Sequence, residues 1–349
     1  MVELLDDKLS RKNEAKFLIN YLTKRYEVKN NEDSFVLNVN AKWGYGKTFF
    51  LKLLEEELKK KEHEVIFFDA WKNDFTKEPL LAFFSEINDS LSDYFNNSKN
   101  SEAKRIFKLT FSKSLPLFVS ILTKHLTGLS AEEFTQLLSE EDVKSDDEEK
   151  SEIKKDTQNT LSSIMSKATE IALQEHKTLK NSIETFKKNM KLLISQIEKD
   201  TNPKLPLFIL IDELDRCRPN YAIELLENIK HIFDIKGIYF IIATNSKQLS
   251  HSINAIYGAN FSSEIYLKRF FDQEYSLKEP DKYEYIKNLL EREVTNQDKI
   301  INPLSEEDYP QKNLHVILID SFSKYFKLQL RDIHQSINTL STITLTWDD

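Results

Sequence analysis

Glycine is scarce in this chain, with five in 349 residues. Two of the five, Gly44 and Gly46, stand one residue apart in "AKWGYGKT" (41–48). A sequence that spends so little glycine and then pairs two needs backbone freedom at that point. Cysteine is scarcer still: the single Cys217 excludes an internal disulfide and fits a reducing, cytoplasmic compartment. The seven histidines are scattered, and neither an HExxH pattern nor a CxxC pair is present, so the usual zinc spacings are excluded. Charge of one sign is also short. The formal net charge of −8 sets the molecule as a whole against a phosphate backbone, which argues against nucleic acid as partner. No apolar run approaches the ~20 residues of a membrane-spanning helix. The most apolar segment, "LPLFVSIL" (115–122), is closed off by Lys113, Lys124 and His125 and reads as a buried core helix. The first residues, "MVELLDDKLSRKNEAK", are charged from the start and carry no secretory-signal pattern.

What is present is an alternation of strands and helices. Residues 11–26 place Ala15, Leu18, Ile19 and Leu22 on one helical face. "SFVLNVN" (34–40), "EVIFFDAW" (64–71), "LPLFILID" (205–212) and "GIYFIIATN" (237–245) read as four strands. "TFFLKLLEEELKKK" (48–61) is an amphipathic helix. Continuous apolar strands separated by helices predict a parallel sheet covered on both faces. Between the second and third strands lies a long stretch of helix and loop, with a charge run at 139–156 that reads as a solvated, mobile loop. An apolar stripe follows (Leu179, Ile183, Phe186, Met190, Leu193, Ile197), at a spacing that suits a helix packed on the sheet. Beyond "SLKEP" (276–280) the strand signals stop and three helical segments follow.

The paired glycines fall between a strand and an amphipathic helix, where a phosphate-binding loop must sit. There, backbone N–H groups surround the phosphates, a lysine reaches the outer ones and a hydroxyl meets Mg²⁺. Trp43, Gly44, Tyr45, Gly46, Lys47, Thr48 and Phe49 are the expected phosphate-binding residues, with Ala41 standing where the pattern has its first glycine. Downstream, the apolar strand "LPLFILID" ends in Asp212 and Glu213. The aspartate suits the metal, together with Thr48, and the glutamate suits polarisation of an attacking water. Asp215, Arg216 and Arg218 follow, either bridging loops or subunits or forming surface ion pairs. Thr244 and Asn245 close the fourth strand, where Asn245 would reach the γ-phosphate or the water, or else cap the next helix. A guanine-specific NKxD pattern needs a carboxylate where "TNSKQL" has Gln248, so ATP is the expected nucleotide.

With these stretches in place the sequence resembles the KAP P-loop NTPases. The resemblance is carried by "AKWGYGKTFFLKLL", "VIFFDAWKNDFTKEPLLAFFSEI" (65–87), "FILIDELDRCRPNYAIELLENIKHIFDIKGIYFIIATN" and "YLKRFFDQEYSL" (266–277), and by "DKLSRKNEAKFL" (7–18). It implies an α/β P-loop fold of the additional-strand type, ATP and Mg²⁺, and a long insertion between the two acid- and lysine-bearing motifs. It also implies a setting in mobile elements or in conflict between bacteria and phage. Ala41, Tyr45 and Asp69 depart from the family's common residues. By the same resemblance, Lys268 and Arg269 form a basic pair able to complete a site in trans, and Arg331 in "LQLRDI" is similar to the nucleotide-sensing arginine of a lid helix.

The resulting expectation is a P-loop NTPase parallel sheet with helices on both faces, a helical insertion and a C-terminal helical lid. Its parts are residues 1–100 and 179–279 for the nucleotide domain, 101–178 for the insertion and 280–349 for the lid. The expected activity is ATP hydrolysis with Mg²⁺, driving a conformational or assembly step through a protein partner or a homo-oligomer. Glu213, Lys47, Asn245 and Arg269 are the expected catalytic residues, and Thr48 and Asp212 the metal ligands. A nucleotide-gated scaffold with little hydrolysis and a P-loop kinase are the alternatives.

Overall fold

The protein is described by a computed structural model covering residues 7, 9, 11–76, 78–97, 100–111, 181, 183–198, 203–294 and 314–346. The charge run at 139–156, the apolar segment 115–122 with its flanking Lys113, Lys124 and His125, and Leu179 lie outside the described residues. The chain forms two compact units. One comprises Met1–Asp74, Asn202–Leu226 and Lys236–Asp349, and the other Phe75–Thr201 and Glu227–Ile235.

The first unit is built on a five-stranded sheet: β1 (Phe35–Asn40), β2 (His63–Asp69), β3 (Lys204–Asp212), β4 (Ile238–Thr244) and β5 (Gln273–Ser276). The strand order is β2-β3-β4-β1-β5 and every pairing is parallel. β4 therefore stands between β1 and β3, the additional strand implied above. All seven residues of β4 are buried, as a strand covered on both faces requires. Helices α1 (Arg11–Val28) and α2 (Lys47–Lys60) lay their apolar faces into one core with Phe35, Leu37 and Val39 of β1. The α1 face is the anticipated one, with Ala15, Leu18, Ile19 and Leu22 all buried.

β5 is a correction to the sequence reading, which has four strands. Its four residues, "QEYS", are polar and mostly exposed, with no alternation that separates them from a loop. They become a strand because β1 offers them an open edge: Leu37 to Asn40 pair with Gln273 to Ser276. Short, charged edge strands are the kind that sequence patterns miss.

In the second unit α3 (Pro79–Asn97) meets helical stretches over residues 101–111 (α4) and 183–197 (α5). The contacts are largely aromatic. Phe84 and Phe186 lie 4.2 Å apart, Phe95 and Phe107 4.9 Å, and Phe111 and Phe186 5.9 Å. In these contacts the anticipated stripe, through Phe186, packs on other helices.

After β3 come α6 (Pro219–Ile229), α7 (Ser246–Tyr257) and the short α8 (Ser263–Leu267). Within the first unit the chain closes with α9 (Lys282–Glu293), α10 (Leu314–Tyr325) and α11 (Leu330–Thr346). These three share a core of Ile286, Leu289, Leu290, Val294, Val316, Ile333 and Ile337, separate from the core beneath the sheet. Among the described residues, no helix is long and apolar enough to cross a membrane.

Candidate functional site

The loop between β1 and α2 turns on its two glycines. Gly44 and Gly46 sit at φ of +79° and +80°, a region that side chains with a Cβ rarely adopt. A Cβ at Gly44 would also lie 2.8 Å from Gln329 Oε1, and one at Gly46 would lie 2.9 Å from Leu9 Cδ1. Ala41 has no such requirement. It continues the sheet, donating its N–H to the Thr244 carbonyl at 3.0 Å, and its methyl is buried in the core beneath the loop. Its φ is not positive. A glycine at 41 would lose that packing and add unfolded-state freedom, so alanine there is compatible with the loop's geometry.

Side chains around the loop hold it in place. Arg11 is almost wholly buried; it donates to the carbonyls of Tyr45 at 3.0 Å and Lys278 at 2.7 Å and pairs with Glu14 at 2.6 Å. One guanidinium thus ties α1, the loop and the segment after β5. The Tyr45 and Phe49 side chains are partly buried and pack against the core. Lys47 Nζ donates to the Ala41 carbonyl at 3.0 Å and lies 3.6 Å from Asp215 Oδ2. Burial lowers the Lys47 pKa, and the neighbouring Asp215 and Asp212 carboxylates act against that fall.

The acids arrive from the end of β3. Asp212 is 1% exposed and lies in register with Asp69 on β2. Burial pushes its carboxyl up from the ordinary value of 3.8 to about 6, against hydrogen bonds from the Thr48 hydroxyl and the Glu213 N–H. Glu213 occupies the left-handed region at φ +58°, an uncommon conformation for a residue with a side chain. The turn is stabilised at the Glu213 carbonyl, which accepts the Arg216 N–H at 3.1 Å and the Cys217 thiol at 3.6 Å. The Glu213 carboxylate pairs with Arg216 at 2.9 Å and lies 3.5 Å from Thr48 Oγ1. Arg216 also lies 5.7 Å from the Trp71 ring centroid. Arg218 is committed elsewhere, gripping Asp74 through its side chain and backbone N–H at 2.8 Å each.

These groups surround one cavity of about 300 Å³, lined by Gly44, Gly46, Lys47, Thr48, Asp212, Glu213, Asp215 and Arg216. Helices α9 and α11 contribute Tyr285, Leu330, Arg331 and His334 to the same lining. Of these four, Arg331 was anticipated. Tyr285 and His334 carry no signal in a single sequence, because only the packing of α9 and α11 turns them toward the loop.

Four anticipated residues are not in this lining: Tyr45 and Phe49, whose side chains pack against the core, and Asn245 and Arg269. Asn245 is buried and caps α7, its Oδ1 accepting the Gln248 N–H at 3.4 Å. It lines a second cavity of about 460 Å³, together with Ala41, Trp43, Tyr45 and Gln329. A network running from the buried Asn38 to the exposed Glu274 holds the strand end before it: Asn38 accepts from Thr244 at 2.8 Å and donates to Ser246 at 2.8 Å and Glu274 at 3.0 Å. Arg269 is exposed, with its guanidinium 5.9 Å from the Tyr266 ring centroid, and is not among the residues lining either cavity.

The donor set fits a hard divalent cation. Asp212 is a buried carboxylate whose own charge is disfavoured by desolvation, and a hydroxyl oxygen lies beside it. The same burial yields a prediction for the free protein. Holding Asp212 ionised costs nothing below its ordinary pKa of 3.8 and the full amount above about 6, roughly 3 kcal/mol at most. Asp212→Asn should therefore raise the thermal midpoint at pH 7.5, with the gain vanishing near pH 4. Unfolding scans at the two pH values check this, and equal gains at both would contradict it.

No curated protein matches the chain significantly. The KAP family P-loop domain matches residues 11–346. That span takes in the glycine-bearing loop, the acid-bearing strand end and the three C-terminal helices alike, and the chain belongs to the KAP family of P-loop domains.

Proposed function

We propose that the protein binds ATP with Mg²⁺ and hydrolyses it to ADP and phosphate, using turnover to drive a conformational or assembly change. The convergence of Lys47, Thr48, Asp212, Glu213 and Arg331 around one cavity carries this reading. The N–H groups of the loop and the Lys47 ammonium bind and orient the phosphates. Thr48 and Asp212 would hold the Mg²⁺, which when bound neutralises charge on the phosphate oxygens. Glu213 accepts the proton of the attacking water. Before it can do so its carboxylate must leave Arg216, and an arginine so released is free to face the phosphate.

That same ion pair favours one second reading, a nucleotide-gated scaffold. With Glu213 tied to Arg216 the base is masked, and a protein kept in that state binds nucleotide and turns it over poorly.

The deciding experiment measures phosphate release from ATP and GTP, with Mg²⁺ and with chelator, across protein concentrations. Mg²⁺-dependent release from ATP is the expected result. Specific activity that rises with concentration would support Arg269 acting on a neighbouring copy. ATP binding without release supports the scaffold, and absence of binding removes both readings.

A further inference from the structure

Asp215 is the one carboxylate of the acid turn without a task in the reaction outlined above. It lies on the 3₁₀ turn Leu214–Arg216, and its side chain is 1% exposed, which rules out an ordinary surface ion pair. One oxygen, Oδ2, accepts the Trp43 indole N–H at 2.5 Å and lies 3.6 Å from Lys47 Nζ. The other, Oδ1, is buried without a hydrogen-bond partner among the described residues. Burying a carboxylate so incompletely satisfied is costly, and a site that does so gains something other than stability. Trp43 raises the matching question. It is a bulky, half-exposed aromatic in a loop whose other needs are for small, flexible residues.

We propose that Asp215 is a positioning residue that ties the phosphate loop, through the Trp43 indole and the Lys47 ammonium, to the turn carrying Glu213. Loop and base then hold one geometry before the nucleotide arrives. Trp43 supplies the reach: its N–H spans from the loop to the turn, and Asp215 supplies the only kind of acceptor that also keeps the lysine's charge balanced. When a phosphate group takes a Lys47 N–H, Oδ2 still holds the indole, and the tie persists in the loaded state. This inference rests on the nucleotide reading for its consequence, though the tie itself belongs to the free protein.

The test uses the full chain with Trp71→Phe and Trp347→Phe, which leaves Trp43 as the only indole. In the free protein, Asp215→Ala should shift Trp43 emission to the red and raise its quenching by acrylamide. Asp215→Asn, which retains an acceptor oxygen, should restore most of the protected signal. For ATP affinity by calorimetry, Asp215→Ala and Trp43→Phe should each weaken binding about tenfold, and the double variant no more than either alone. Unchanged quenching in Asp215→Ala overturns the tie, and so do losses that multiply to about a hundredfold in the double variant. Should Asp215→Ala fail to fold, Asp215→Leu, which fills the space and offers no acceptor, replaces it in both measurements, with the same expected and overturning results. Lys47→Ala separates the two levels of failure. If it binds ATP like the parent, the nucleotide reading falls. If it loses binding while the Asp215 and Trp43 losses multiply, only the tie falls.

Discussion

Glu213→Gln is expected to bind ATP within about threefold of the parent and to lose turnover by ~10²–10⁴, the range assigned to a positioned general base. Binding survives because the groups that hold the phosphates and metal, Lys47, Thr48 and Asp212, are untouched. The left-handed backbone at φ +58° is no harder for glutamine than for glutamate, so the turn should keep its form. What changes is the carboxylate, which can no longer take a proton from water and no longer pairs ionically with Arg216, now 2.9 Å away. Single-turnover phosphate release alongside equilibrium binding separates the two effects. Equal hydrolysis in parent and variant would remove Glu213 from the chemistry, and only background rates in both would leave the scaffold reading in its place.

Lys47→Ala is expected to weaken ATP binding at least about thirtyfold, since truncating one partner of a buried, hydrogen-bonded charge pair costs ~2–5 kcal/mol. The ammonium is largely buried, and its donors already point to the Ala41 carbonyl and Asp215, so no bulk water competes strongly for it. Removal has a second consequence in the free protein. Asp215 keeps only the Trp43 N–H against a buried negative charge, and the thermal midpoint should fall with the affinity. Calorimetric titration and an unfolding scan on the same sample read both. ATP affinity equal to the parent's would show that the loop is not the phosphate site.

The positions of the loop and the acids were legible because their determinants are local. A lysine and threonine after two glycines, between a β-prone run and an amphipathic helix, report their own conformation, and the positive φ of Gly44 and Gly46 is what glycine is there to permit. Asp212 and Glu213 were readable for a similar reason: two acids end an apolar strand that must be buried. The fifth strand had no such signature. "QEYS" becomes a strand through the edge that β1 offers, a property of β1's position in the sheet and not of those four residues.

Roles that depend on distant partners were decided only in three dimensions. Ala41 reads as a defect in a glycine position, yet its N–H extends the sheet to Thr244 and its methyl fills the core, so nothing there calls for glycine. Arg11 is one charge among many in the first helix until it is found bonded to carbonyls 34 and 267 residues away. Asp215 was balanced between a loop bridge and a surface pair, and its burial against Trp43, 172 residues distant, decides for the bridge. By itself the sequence determined where backbone must bend and which strands must be buried, because steric freedom and apolar periodicity act between near neighbours. The tertiary structure alone decided which charges are buried and with whom, because desolvation and pairing are set by whatever the fold brings alongside.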